Sequence, residues 1–295
     1  MTTTGAHALL SKLVDYAGLF PPTGLGMAEA VAEYGRQLES AEAWMLGRFV
    51  APAVRFDELE PAAKRHFTAE APLSLTALVG PAFTTHATEV VAFNARHTGR
   101  ARVVSVEFRA FTRAELEAAL DTIPPGLVVF VELPLYDALD ELLPIVKARG
   151  ARAKVRTGGV VPDVIPEPGR LTRFLEACAT AEVPFKATAG LHHAVRAEQP
   201  LTYETHAPRS MMHGFLNVFT AAIFAREGMR AAEIEEVLRE TDPAAFRLED
   251  EGLAWRDRRV ATEDIARTRR ELATSFGSCS FAEPVAELRS LGVIP

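Results

Sequence analysis

Residues 102–134 read RVVSVEFRAFTRAELEAALDTIPPGLVVFVELP, and the fold turns on how this stretch is understood. Its two ends are β-branched apolar runs that finish alike, in VVSVE and VVFVE. Between them Thr112 and Glu115 have the spacing of a capping box, in which a threonine hydroxyl and a glutamate satisfy each other's backbone N–H groups and start a helix. A strand, a helix and a second strand in so short a span are the mark of parallel β/α architecture.

The same alternation holds on both sides. Strands are expected at 13–20, 45–52, 73–80, 102–109, 127–134, 152–157, 184–189 and 214–219, eight in all. Met27, Ala30, Val31, Tyr34 and Leu38 form one helical apolar stripe, and Tyr136, Leu139, Leu142, Leu143 and Val146 form another. An open doubly wound sheet shares this local pattern, but eight units in 295 residues favour a (β/α)8 TIM-type barrel. Past residue 246 the rhythm breaks into a hairpin turning near Gly252 and a helix from about Thr262. Ser280 and Glu283 then precede a short helix that stops at Gly292. The expected division is a barrel domain over 1–246 and a C-terminal extension, 247–295, packed on it.

A net charge of −7 with interspersed signs lacks the clustered basic face of a nucleic-acid binder. The start of the chain has neither the basic nor the apolar region of a signal peptide, and no apolar run approaches the span of a bilayer. Cys178 and Cys279 show no metal-ligand spacing, and Cys178 lies at helical spacing from Leu171, Phe174 and Leu175, which predicts a core position. These features fit a reduced, cytoplasmic compartment. Homo-oligomers are common among barrels, but nothing in the sequence marks an interface.

The chemistry is expected at the strand ends. Lys154 and Lys186, two of few lysines in an arginine-rich chain, lie inside apolar runs of consecutive strands. Burial of an ammonium lowers its pKa toward neutrality unless it is paired, so these lysines are candidates either for catalysis or for structural ion pairs. A period of two puts Arg48, Glu107, Arg109, Glu132, Arg156, Thr188 and Asn217 at comparable late-strand positions, where barrel enzymes build their sites. The repeated VVSVE and VVFVE place Glu107 and Glu132 at matching points of adjacent strands. Thr157, Gly158 and Gly159, with Gly190, follow the two lysines, and the glycines allow backbone approach to an anion. His192 and His193 are adjacent, so only an irregular loop turns both to one metal; one histidine acting alone as acid, base or donor is the other reading. Asp15 is either a site acid or a cap at the strand entry, and His213 reads as structural.

KVRTGG (154–159) and KATAG (186–190) resemble the sixth- and seventh-strand lysine motifs of deoxyribose-phosphate-aldolase-like class I aldolases. The resemblance implies that Lys154 forms a Schiff base, that Lys186 lowers its pKa, and that Gly158 and Gly190 lie near a substrate phosphate. Glu107 stands where that family carries a fourth-strand aspartate, and Arg156 is a departure from its motif. DYAGLFPP (15–22), WMLGRFV (44–50) and FKATAGLHH (185–193) are also similar to an uncharacterised bacterial TIM-barrel-like family, a likeness that implies no function.

Three functions stay open. An aldolase-type lyase would use a Lys154 Schiff base on a small anionic carbonyl metabolite bearing phosphate or carboxylate, with Glu107 or Glu132 moving protons and no cofactor. A barrel for metal-assisted enolate or phosphoryl chemistry would instead hold a divalent metal on Glu107 and Glu132. A non-catalytic barrel would only bind an anionic metabolite.

Overall fold

The computed structural model describes residues 4–66, 68–136 and 138–295. In chain order the first strands are β1 (Val14–Tyr16), β2 (Leu46–Pro52), β3 (Leu73–Leu78), β4 (Ala101–Arg109), β5 (Val128–Glu132), β6 (Arg152–Arg156) and β7 (Phe185–Thr188). A small antiparallel pair follows, β8 (Ala197–Pro200) with β9 (Arg209–Met212). A three-stranded antiparallel sheet comes next, from β10 (Phe246–Glu249), β11 (Gly252–Trp255) and β12 (Arg258–Ala261). The last strand is β13 (Ala273–Ser278). Strands β1 to β7 and β13 are all parallel and form a closed barrel, with β13 seated between β7 and β1. The expected TIM-type barrel, with an antiparallel hairpin sheet and a helix in its C-terminal part, is the observed fold.

Seven of the expected strands are found within a few residues of their predicted bounds. The eighth is not. Residues 214–219 open the helix Phe215–Arg226, in which every residue from Phe215 to Phe224 is buried. A helix that is apolar all round loses the periodicity that separates it from a core strand, and its β-branched and aromatic residues then favour the wrong element. The strand that closes the barrel is β13, and it comes from the stretch read as an extension. Its sequence, ATSFGS, has no β-branched run: Ser275 and Gly277 line the two cavities, Ser275 bonds Asp15, and Phe276 packs against Phe215 and Phe219.

Capping behaves as the sequence predicts at the helix Arg113–Thr122, where both bonds of the Thr112/Glu115 box are made. Before the helix Ala282–Ser290, Ser280 Oγ accepts from the Glu283 N–H. Cys178 is fully buried on the helix Pro168–Ala181. Among the described residues no helix is long and apolar enough to cross a membrane.

One parity of each barrel strand faces the two cavities at the barrel ends. Arg48 and Val50 of β2, Ser74 and Leu78 of β3, Arg152, Lys154 and Arg156 of β6, and Ser275 and Gly277 of β13 line one cavity or the other. Most barrels fill this axis with branched aliphatics. Here the inward cations Arg48, Arg109, Arg152, Lys154, Arg156 and Lys186 are twice as many as the inward carboxylates Asp15, Glu107 and Glu132.

Candidate active site

The lysines of the sixth and seventh strands lie side by side, in register across β6 and β7. Both are buried, Lys154 at 4% exposure and Lys186 at 1%. Glu107 reaches across from β4 and joins them: Oε1 accepts from Lys186 Nζ at 2.6 Å, and Oε2 lies 2.9 Å from Lys154 Nζ. Lys186 also donates to Asp15 Oδ2 at 2.6 Å and rests 5.5 Å from the centre of the Phe130 ring. Lys154 is held on its other side by Glu132 Oε2 at 3.1 Å. Glu132 Oε1 in turn lies 3.0 Å from both the Arg156 and the Arg109 guanidinium groups. The result is a chain of alternating charge, Asp15–Lys186–Glu107–Lys154–Glu132, that ends on two arginines.

Glu107 and Glu132 do not sit at the same level. Glu107 pairs in register with Phe130, and Glu132 with Arg109, because the strands of a closed barrel are staggered by its shear. The stagger lets both carboxylates reach Lys154 from different heights. It also lowers Arg48 by a layer: Val50 reaches the C-terminal mouth, and Arg48 lines the cavity at the opposite end.

Ionisation follows from these contacts. Burial pushes Glu107 up, but the charges and hydrogen bonds of Lys154 and Lys186 outweigh it and bring its pKa down to about 2. Burial acts on Glu132 in the same way and is again outweighed, by Lys154, Arg156 and Arg109, so this carboxyl also lies below its ordinary range. Burial pulls Lys186 down, yet Asp15 and Glu107 more than compensate and hold it above the ordinary lysine value. The expectation of a neutralised lysine therefore fails at Lys186, which remains a fixed cation. Asp15 resolves as its partner: Oδ2 also accepts from Ser275 Oγ, and Oδ1 accepts from the Arg48 N–H.

A cavity of about 860 Å³ opens above this charged floor, at the C-terminal ends of the strands. Its walls are largely apolar, with Phe20, Leu78, Phe83, Phe108, Val160, Leu201 and Met212 among them. Thr188, Gly159, Gly190, His192 and His193 line it as well. Thr157 is buried instead and ties the two lysine strands together through the carbonyls of Thr188 and Ala189. Gly158 and Gly190 pack on each other: a Cβ at Gly190 would meet Gly158 Cα at 2.7 Å, and Gly190 has φ +76°. Close backbone approach of two loops thus accounts for this glycine pair. Asn217 lies away from the site, in the helix Phe215–Arg226, where it accepts from the Arg196 N–H and donates to the carbonyls of Val237 and Glu240. His213 is fully buried and bonds the Pro166 carbonyl, a structural role.

The loop after β7 does turn both adjacent histidines the same way, but toward carboxylates of the helix Ala282–Ser290. His192 Nδ1 lies 3.0 Å from Glu283 Oε2, and His193 pairs with Glu287. A third group joins His192. Cys279, immediately after β13, has its Sγ 3.8 Å from His192 Nε2 and accepts a 3.1 Å hydrogen bond from Thr23 Oγ1. Burial lowers the His192 pKa, but Cys279 and Glu283 outweigh this and raise it to about 10. The thiol of Cys279 is pushed up by burial and brought below its ordinary value by His192. Cys279 and Glu283 escaped the sequence reading because they depend on β13. Once ATSFGS is a barrel strand, the residue after it lies at the mouth.

A divalent metal does not fit the carboxylates as they stand. Each oxygen of Glu107 and Glu132 faces a cationic nitrogen, so an ion between them would have to displace Lys154. Among the described residues no group of three or more histidine, cysteine, aspartate or glutamate side chains is arranged to hold a metal. No protein-family model matches the chain, and no curated protein matches it.

Proposed function

We propose that the protein is an aldolase-type lyase that works through a Schiff base on Lys154, acting on a carbonyl compound with an anionic group and an apolar body. The observation that carries this reading is the placement of Lys154 between Glu107 and Glu132 on the floor of the cavity. An iminium at Lys154 keeps the positive charge that the ammonium had, so the same two carboxylates stabilise it without rearrangement. Lys186 is the less suited nucleophile, because it lies deeper and is clamped by two carboxylates at 2.6 Å.

Lys154 must shed a proton before it attacks. Glu132 is the natural acceptor once the substrate's anionic group draws Arg109 and Arg156 away from it, since these cations are part of what depresses its pKa. The neutral amine then adds to the carbonyl carbon. Glu132 returns its proton to the carbinolamine oxygen, which leaves as water once a second proton, released from nitrogen, has reached it. The Cα–Cβ bond, one atom removed from the iminium carbon, then breaks: its electron pair flows through Cα to the iminium nitrogen, while the β-hydroxyl gives its proton to Glu132 and becomes the carbonyl of the departing fragment. The resulting enamine is reprotonated and hydrolysed, which frees Lys154. His192, protonated at neutral pH, stands at the wall as a proton donor. The aromatic and aliphatic walls favour an aryl or branched alkyl body over a sugar.

Borohydride reduction in the presence of 2-oxo acids with aryl or branched alkyl groups tests the reading. The expected result is a covalent adduct mapped to Lys154 and absent in Lys154→Arg. A panel that leaves the intact mass unchanged, or an adduct that survives in Lys154→Arg, overturns it.

A further inference from the structure

The N-terminal end of the barrel is open as well. A cavity of about 680 Å³ lies there, lined by Arg48, Arg152, Ser74 and Ser275 from inside the barrel, with Lys12 and Arg270 exposed at its edge. A buried guanidinium, Arg269, forms part of the wall and donates to the carbonyls of Leu9, Ser11, Ala273 and Thr274. Backbone carbonyls hold the guanidinium in place, and the nearby Asp15 carboxylate acts on its charge. Among the described residues the one carboxylate lining this cavity is Asp15, which is engaged by Lys186, Ser275 and the Arg48 backbone.

This end of the barrel holds partly buried guanidinium groups without an ion pair. The chain has a net charge of −7, and many arginines elsewhere find glutamates, as in Arg55–Glu58, Arg96–Glu60 and Arg226–Glu271. Among the described residues, Lys12, Arg48, Arg152 and Arg270 make no ion pair. Arg48 and Arg152 are only partly exposed and share one cavity, so their charges repel. The Arg152 guanidinium leans on the face of Phe130, 5.7 Å from its centre, and finds no anion there. Two guanidinium groups in one cavity, whose carboxylate Asp15 is already committed to Lys186, destabilise the barrel unless something negative comes between them.

We infer that the N-terminal cavity is a second ligand site, which binds the phosphate monoester of a small metabolite with its dianionic head between Arg48 and Arg152. A planar guanidinium presents paired N–H donors that match phosphate oxygens, and two of them balance a dianion. The hydroxyl of Ser74 adds a donor, and the volume leaves room for an organic portion against Ala8 and Pro72. The low-dielectric walls focus the field of the cations on the opening. This site lies at the opposite end from Lys154 and stands whether or not the imine chemistry does.

Calorimetric titration of inorganic phosphate into the full chain, in a low-salt buffer of a bulky monovalent anion, tests the inference. The expected result is saturable binding that weakens by about tenfold or more in Arg48→Met and in Arg152→Met, and that is retained in the Arg109→Met/Arg156→Met double variant. Melting of the same variants without phosphate gives an independent reading. Arg152→Met removes a repelled charge and is expected to melt no lower than the parent. Absence of saturable binding overturns the proposal, as does binding that follows Arg109 and Arg156. A markedly lower Tm in phosphate-free Arg152→Met also overturns it, since that would make Arg152 a structural residue.

Discussion

Glu107 is the residue on which the interior depends, since both buried ammonium groups lean on it. Glu107→Gln leaves each lysine with one carboxylate and is expected to cost about 3–5 kcal/mol, the range for breaking a buried ion pair from one side; urea denaturation would measure it. Cys279 makes a sharper test of the mouth. The chain has two cysteines, and burial drives the Cys178 thiol well above its ordinary value while His192 lowers that of Cys279. Iodoacetamide at neutral pH is therefore expected to modify Cys279 alone, and His192→Gln to slow the reaction by about tenfold or more. Labelling of Cys178, or an unchanged rate in the variant, would show that the Cys279–His192 contact does not govern reactivity. At this scale the sequence was informative wherever a side chain contradicts its surroundings. Lysines and glutamates inside apolar runs stand out, and the structure gathers all of them at one cavity floor. Asp15 stayed between a site acid and a strand cap, because a strand of three residues offers no pattern that shows which way its side chain faces.

Among the elements, the turns after the two lysine strands set the height of the floor. Gly190→Ala would put a side chain on a residue at φ +76° and a Cβ 2.7 Å from Gly158 Cα, so a loss of about 1–3 kcal/mol is expected from strain and clash. Thermal melting checks the loss, and any activity that depends on Lys186 should fall with it. Asn217 belongs to the same scale. It joins the helix Phe215–Arg226 to the Arg196 backbone and to the end of the helix Ala231–Arg239. Asn217→Leu strands one buried and two part-buried backbone groups and is expected to destabilise the fold by about 2–4 kcal/mol, with no change in ligand affinity at either cavity. Strands with a β-branched core and a charged end were legible from sequence. The fully buried helix was not, because apolar residues on every side erase periodicity. Nor was β13, since Ala, Thr, Ser and Gly around a lone Phe276 resemble a turn.

For the molecule as a whole, the paired interior makes stability depend on pH in a definite direction. The folded-state pKa of Glu107, about 2, lies below its ordinary 4.5. Its contribution is complete above that ordinary value and is lost as pH falls toward about 2, and the lowered Glu132 acts in the same sense. Urea midpoints of the parent and of Glu107→Gln should therefore converge as the medium is acidified through this window. Lys186, raised in the fold, contributes up to its ordinary value of 10.5 and loses that contribution as pH rises further. The seat of β13 has a consequence during synthesis. Strands β1 and β7 flank its place, and until residues 273–278 leave the ribosome each carries a row of unpaired backbone donors and acceptors. A nascent chain in that state is an open sheet with two adhesive edges, a species that calls for chaperone protection or rapid closure. Translation halted after residue 246 would make the state permanent, and the product should collect in the insoluble fraction.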